Sequence, residues 1–143
     1  MPKLRSVALI ARKSLKTEPL KTIVAGSRSI TGYAVVEKAI AFAIADGLII
    51  TQIVSGTAKG VDLLGERWAK EHKRVSIKRF PPDWSVGKSG GILRNIEMSE
   101  NADAAIVVWD GMSRGSKHMY DTAKAKGLKV WLFNKCGELI KKS

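Results

Sequence analysis

Cysteine is almost absent from this chain: Cys136 stands alone. No disulfide can form within it, and a reducing compartment suits such a sequence. Histidine is equally scarce, with only His72 and His118, so the side chains of a structural zinc site are lacking and no metal is expected. Long apolar runs are missing too. None approaches the ~20 residues that cross a bilayer, and no membrane partner is expected. The stretch at residues 6–11 (Ser-Val-Ala-Leu-Ile-Ala) is short for the core of a secretory signal, and no cleavage site follows it. Together these absences point to the cytoplasm. Internal repeats and low-complexity tracts are also lacking.

Acidic residues are few, 13 against 25 Lys and Arg, which leaves a net charge of +12. Such an excess attracts phosphate-rich partners, from a nucleotide to a single-stranded nucleic acid, or serves only solubility. Part of it is local: residues 1–20 hold Lys3, Arg5, Arg12, Lys13 and Lys16 against Glu18, or +4 of the +12. These residues read as a basic N-terminal extension before a domain at 21–143. With 143 residues, 45% hydrophobic and 27% charged, the chain suits one globular domain.

From Lys21 onward short β-branched runs alternate with helical periodicity. Strands are expected at 22–25, 48–54, 75–80, 104–109 and 128–133. Helices are expected at 33–46, 61–72, about 92–101 and about 117–126. In the first helix Val36, Ala39, Ile40 and Ala43 share a face. In the second, Val61, Leu64, Trp68 and His72 do, with Glu66 and Lys70 paired on another face. Five strands alternating with four helices imply an α/β fold, a Rossmann-like three-layer sandwich whose mainly parallel five-stranded sheet is flanked by helices.

In such a sheet ligands bind beyond the C-terminal strand ends, near the switch in strand order. The loops after strands one, two and four are all rich in Gly, Ser and charged residues. The first, Gly26-Ser27-Arg28-Ser29, combines close backbone approach, two hydroxyls and a guanidinium fork suited to phosphate. It is not the G-x-G-x-x-G fingerprint, which disfavours a dinucleotide oxidoreductase. The second, Ser55-Gly56-Thr57-Ala58-Lys59-Gly60-Val61-Asp62, opens a helix whose free N–H groups can bind an anion. Asp62 either complements the helix dipole or meets the ligand. The third helix begins with Gly90-Gly91 and carries Arg94 and Asn95. A cation in a first turn opposes the dipole, so Arg94 is expected to face an anion shared with the other loops. After strand four, Gly111, Ser113, Gly115 and Ser116 offer more backbone and hydroxyl donors.

Gly87-Lys88-Ser89 imitates the end of a Walker A motif, but Pro82 stands where its leading Gly belongs. Trp84 either stacks on a base or anchors its loop. Trp68, Trp109 and Trp131 occupy packing positions.

These segments resemble, in order and across about residues 22–133, the SLOG superfamily, in particular its small YspA-type (YpsA-related) members. That superfamily includes the DNA-processing protein A (Smf) family and the "lonely guy" phosphoribohydrolases. Ile23-Val24-Ala25-Gly26-Ser27-Arg28 resembles the opening of the DNA-processing family's nucleotide-binding-like domain. Residues 53–62 resemble its S-G-x-A-x-G-[IV]-D segment, Arg94-Asn95 its R-N helix, and Ser113-Arg114-Gly115-Ser116 its last glycine-serine loop. The resemblance implies a Rossmann-like sheet with a nucleotide or nucleotide-derived ligand over these loops and no obligatory cofactor. It leaves open single-stranded nucleic-acid binding and a homo-oligomer. The phosphoribohydrolase branch carries a P-G-G-x-G-T-x-x-E motif whose Glu assists N-glycosidic cleavage; here Met119 takes that place. Catalysis would then need another carboxylate, Asp62 or Glu66.

Overall fold

The computed structural model describes residues 20–143; the basic N-terminal extension lies outside the described residues, save that Leu20 opens the first strand. Six strands and four α-helices follow one another: β1 Leu20–Gly26, α1 Tyr33–Ala45, β2 Ile50–Ser55, α2 Val61–Glu71, β3 Ser76–Arg79, a 3-10 turn at Trp84–Val86, α3 Ser89–Glu100, β4 Ala104–Val108, α4 Arg114–Ala125, β5 Lys129–Phe133 and β6 Leu139–Lys142. The sheet order is β3-β2-β1-β4-β5-β6. Its first five strands are parallel and β6 runs antiparallel to β5.

The alternation of side chains across the sheet explains why β4, Ala104-Ala105-Ile106-Val107-Val108, is apolar throughout: both of its faces are covered. Ala104, Ile106 and Val108 pack with Val36 and Ile40 of α1 and with Val61 and Trp68 of α2. Ala105 and Val107 pack on the opposite face with Met98 of α3 and Met119 of α4. The chain winds outward from β1 to β3, crosses back to β4, and continues outward the other way, so helix pairs cover opposite faces. The reversal lies between β1 and β4, whose last residues, Gly26 and Val108, pair in register.

The Rossmann-like α/β architecture agrees with the sequence pattern, and the structure adds a sixth strand. Asn134 turns the chain between β5 and β6: its Oδ1 accepts from the N–H groups of Cys136 and Glu138, and Gly137 takes φ +79°. The two edge strands, β3 and β6, have four residues each. Helices α3 and α4 begin about three residues earlier than their periodicity suggested. At α4, Ser113 caps the start by accepting from the Ser116 N–H at 3.3 Å. The surface pair expected between Glu66 and Lys70 does not form. Glu66 is buried instead, accepting from Ser55 Oγ at 2.6 Å and pairing with Arg79 at 2.9 Å, since the polar end of β2 and the edge strand β3 lie beside it.

Candidate functional site

The loops after β1, β2 and β4 and the start of α3 enclose a cleft of about 420 Å³ at the switch in strand order. Its walls include Gly26 at the end of β1, Arg28 and Ser29 from the first loop, Ala58 from the second and Asp62 from the start of α2, Arg94 and Asn95 from α3, Asp110 and Ser113 from the last loop, and Gly115, Ser116 and Met119 from α4. A smaller pocket of about 270 Å³ adjoins it, lined by Thr57, Lys59, Pro82 and Trp84 and sharing Arg28, Ala58 and Arg94 with the cleft.

Glycine is required at two points. A β-carbon on Gly26 would lie 2.1 Å from the Val108 carbonyl oxygen, so only Gly lets β1 end against β4. At Gly60, φ is +81° and a β-carbon would meet the Ser27 carbonyl at 2.5 Å, which fastens the second loop under the first. Thr57 is the one non-glycine residue at positive φ (66°) among the described residues. Left-handed backbone in a residue other than Gly persists only where its surroundings hold it, and Thr57 lines the smaller pocket.

Hydroxyl groups tie the loops together. Buried Ser27 contacts Ser116 Oγ at 3.2 Å and accepts from the Asp110 N–H at 3.0 Å, joining the first and last loops behind the cleft. Ser55 gives its hydroxyl to Glu66 and accepts from the Thr57 N–H at 3.1 Å. Of the residues expected to meet a ligand, Ser27, Ser55, Gly56 and Gly60 therefore support the loops rather than line either pocket, and exposed Gly111 lines neither. Arg28, Asp62, Arg94, Asn95, Ser113, Gly115 and Ser116 line the cleft, and Thr57 and Lys59 line its annex.

The charges have distinct surroundings. Asp62, 4% exposed, accepts from the Gly26 and Ala58 N–H groups, both at 3.3 Å. Burial pushes its pKa up to about 6, although Arg94 and the two N–H donors pull the other way. Asp110 is the opposite case. Donors at Ser113 N, Met112 N and Ser29 Oγ, all within 2.9 Å, hold it down at about 2 and keep it ionised. Arg94 donates to the Gly56 carbonyl and, at 3.0 Å, to Asn95 Oδ1. Burial lowers its pKa below the ordinary value; Asp62 opposes that effect and Arg28 adds to it. Both guanidinium groups thus line one cleft, and among the described residues neither forms an ion pair. Asn95 Nδ2 in turn donates to the Gly115 carbonyl at 3.2 Å and contacts His118 Nδ1 at 3.1 Å.

Asp110 is a cleft residue that the loop compositions did not single out. An Asp-Gly pair directly after a buried strand was the available signal for Asp110. Among the described residues no group of three or more His, Cys, Asp or Glu is placed to hold a metal ion. No described helix is long and apolar enough to cross a membrane.

A model of the YspA, cpYpsA-related SLOG family matches residues 20–87, which carry the first two loops, Arg28, Asp62 and Trp84. The Gene 61 protein of Mycobacterium phage D29 is 36% identical over an alignment that covers 54% of this chain and 67% of that protein. The chain belongs to the YspA, cpYpsA-related SLOG family. No solved structure matches it significantly. Membership of this SLOG family associates the chain with nucleotide-related ligands in general. The matched segment supplies one wall of the cleft, and α3 and the loop before α4, which lie beyond it, supply the other.

Proposed function

We propose that the cleft binds a nucleotide or another nucleotide-derived phosphorylated ligand, and that the protein serves as a sensor or sequestering module. The observation that carries this reading is the pair Arg28 and Arg94. Both line the cleft and neither forms an ion pair among the described residues; the Asp62 carboxyl offsets Arg94 more than Arg28 opposes it, yet pairs with neither guanidinium. Two like charges held over a concave surface are relieved by an anion, and guanidinium groups match phosphate oxygens in a bidentate manner. Calorimetric titration with nucleoside mono- and diphosphates, cyclic nucleotides and ADP-ribose tests the reading. Arg28→Ala should weaken binding by about tenfold or more, the scale of one charge-assisted hydrogen bond. Because Arg28 is exposed, its thermal unfolding should stay that of the wild type. A wild-type protein inert to all these ligands would remove the proposal.

One observation favours a second reading, hydrolysis of a nucleoside-phosphate N-glycosidic bond. Met119, 1% exposed, lines the cleft where the phosphoribohydrolases carry Glu and cannot transfer a proton. Of the two other carboxylates considered, Glu66 is engaged by Ser55 and Arg79 and does not line the cleft, whereas Asp62 does. A carboxyl that titrates near 6 can serve as a general acid at neutral pH. Incubation with nucleoside 5′-monophosphates should then release free base, and Asp62→Asn should abolish the release. Intact substrate after prolonged incubation with the wild type refutes this second reading.

A further inference from the structure

The cleft and its annex differ in chemistry. The cleft is walled by carboxylates, hydroxyls and backbone groups, with Asp110 and Asp62 as acceptors. The annex presents two flat apolar surfaces, the Trp84 indole and the Pro82 ring. Trp84 is 54% exposed, while Trp68 and Trp131 are buried. Its ring is held from behind: β-carbons added at Gly90 and Gly91 would lie 3.4 and 3.3 Å from its carbons. Glycine at both positions lets the six-membered ring of the indole rest against the start of α3, while more than half of the residue stays exposed. Asp83, which accepts from the Ser85 N–H at 3.0 Å, fixes the turn that carries it. An exposed aromatic plane with a rigid support is a stacking platform, and every nucleobase offers a face to it.

Between the two compartments stand Arg28 and Arg94, which belong to both, and Lys59 stands on the annex side. We infer that the site is two-lobed and takes a nucleoside diphosphate esterified to a sugar: the base lies on Trp84, the diphosphate passes between Arg28 and Arg94, and the sugar enters the cleft. This assignment rests on the nucleotide reading above and names the ligand class within it. Three cations spread over the junction and the annex can reach the oxygens of two linked phosphoryl groups, more than a single ester phosphate presents. Ionised Asp110 accepts hydrogen bonds and donates none, so its side of the cleft suits hydroxyl groups rather than a second phosphate. A mononucleotide would fill the annex and the junction and leave the carboxylate side of the cleft to water.

Calorimetry with ribose 5-phosphate, AMP, ADP-glucose and ADP-ribose separates the possibilities, using wild type, Trp84→Ala, Trp84→Phe and Arg28→Ala. At least one ADP-sugar should bind about tenfold or more tightly than AMP, the gain from two further hydrogen bonds. Trp84→Ala should weaken AMP and the ADP-sugars by about tenfold, a usual loss for one base–aromatic stack. It should leave ribose 5-phosphate unchanged, and Trp84→Phe should recover most of the loss. Saturating AMP should also shield the exposed indole from acrylamide quenching, whereas ribose 5-phosphate should not. If AMP and both ADP-sugars bind the wild type equally, or Trp84→Ala binds AMP as the wild type does, the two-lobed assignment is overturned. The nucleotide reading still stands in that case, provided that Arg28→Ala weakens AMP. If no nucleotide binds the wild type, both fall.

Discussion

Replacing Asp62 by Asn offers a direct measure of how strongly the cleft disfavours a buried negative charge. The folded protein raises this carboxyl from 3.8 to about 6. At about 1.36 kcal/mol per pH unit, a rise of that size makes the ionised form cost the fold roughly 3 kcal/mol. Below pH 3.8 the carboxyl is protonated in both the folded and the unfolded chain, and its contribution is constant. Between pH 3.8 and about 6 the unfolded chain has released the proton and the folded one still holds it, so stability falls as pH rises. Above about 6 both states are ionised and the loss is complete. Asparagine has no proton to release. The stability of the wild type minus that of Asp62→Asn should therefore drop by roughly 3 kcal/mol from pH 3.5 to pH 7, with the change confined to that window. Urea unfolding followed by circular dichroism at half-unit pH steps measures it. The other titrating groups act alike in both proteins and cancel in the difference. A flat difference would mean that the carboxylate is as well solvated in the cleft as in the unfolded chain. A difference that rises with pH would mean that Arg94 and the two N–H donors outweigh burial. Either result refutes the account of the site given above.

Four further outcomes follow from the packing. Gly26→Ala places a β-carbon against the Val108 carbonyl and the Val61 side chain and should cost at least the upper end of the roughly 1–3 kcal/mol seen for overpacking. Gly115→Ala meets no atom within 4 Å and should stay within about 0.5 kcal/mol of the wild type in the same urea assay. Arg79→Met leaves buried Glu66 with Ser55 as its hydrogen-bond donor and should destabilise by roughly 1–3 kcal/mol at pH 7. Unchanged stability there would show that water reaches Glu66. Asn95→Ala removes the acceptor of Arg94 Nε and the donor to the Gly115 carbonyl. It should cost roughly 1–3 kcal/mol and also weaken AMP in calorimetry, because Arg94 loses one of the two contacts that aim it.

The parallel strands were readable because a strand covered on both faces must be apolar at consecutive positions, as β4 is at all five. Strand β6 gave no such signal: Leu139-Ile140-Lys141-Lys142 is exposed throughout and owes its place to the Asn134 turn and to pairing with β5. The starts of α3 and α4 were hidden by Gly90, Gly91 and Gly115, which in isolation suggest loop. In α3 the two glycines instead make room for the Asp83 carbonyl and the Trp84 ring. Within the site, the loops and their cations could be named from composition alone. The division of labour among them could not. Whether a serine faces the ligand or a neighbouring loop depends on contacts 80 or more residues apart, such as Ser27 with Asp110 and Ser116. Glu66 illustrates the same limit: spacing along a helix suggests a surface pair with Lys70, and only the neighbouring strands show it turned inward.

The two short edge strands have a consequence for the protein in a crowded solution. An open sheet ends in rows of unsatisfied N–H and C=O groups that can recruit a strand from another molecule. Here one edge ends in Lys78-Arg79 and the other in Lys141-Lys142, and neither strand exceeds four residues. Arg79 is paired with Glu66 and Lys142 with Asp46. Two copies that met edge to edge along the described strands would still bring Lys78 or Lys141 to within one strand spacing, about 4.8 Å, of its counterpart and gain only a few hydrogen bonds in return. Part of the +12 charge thus opposes sheet-to-sheet growth, whatever the cleft holds.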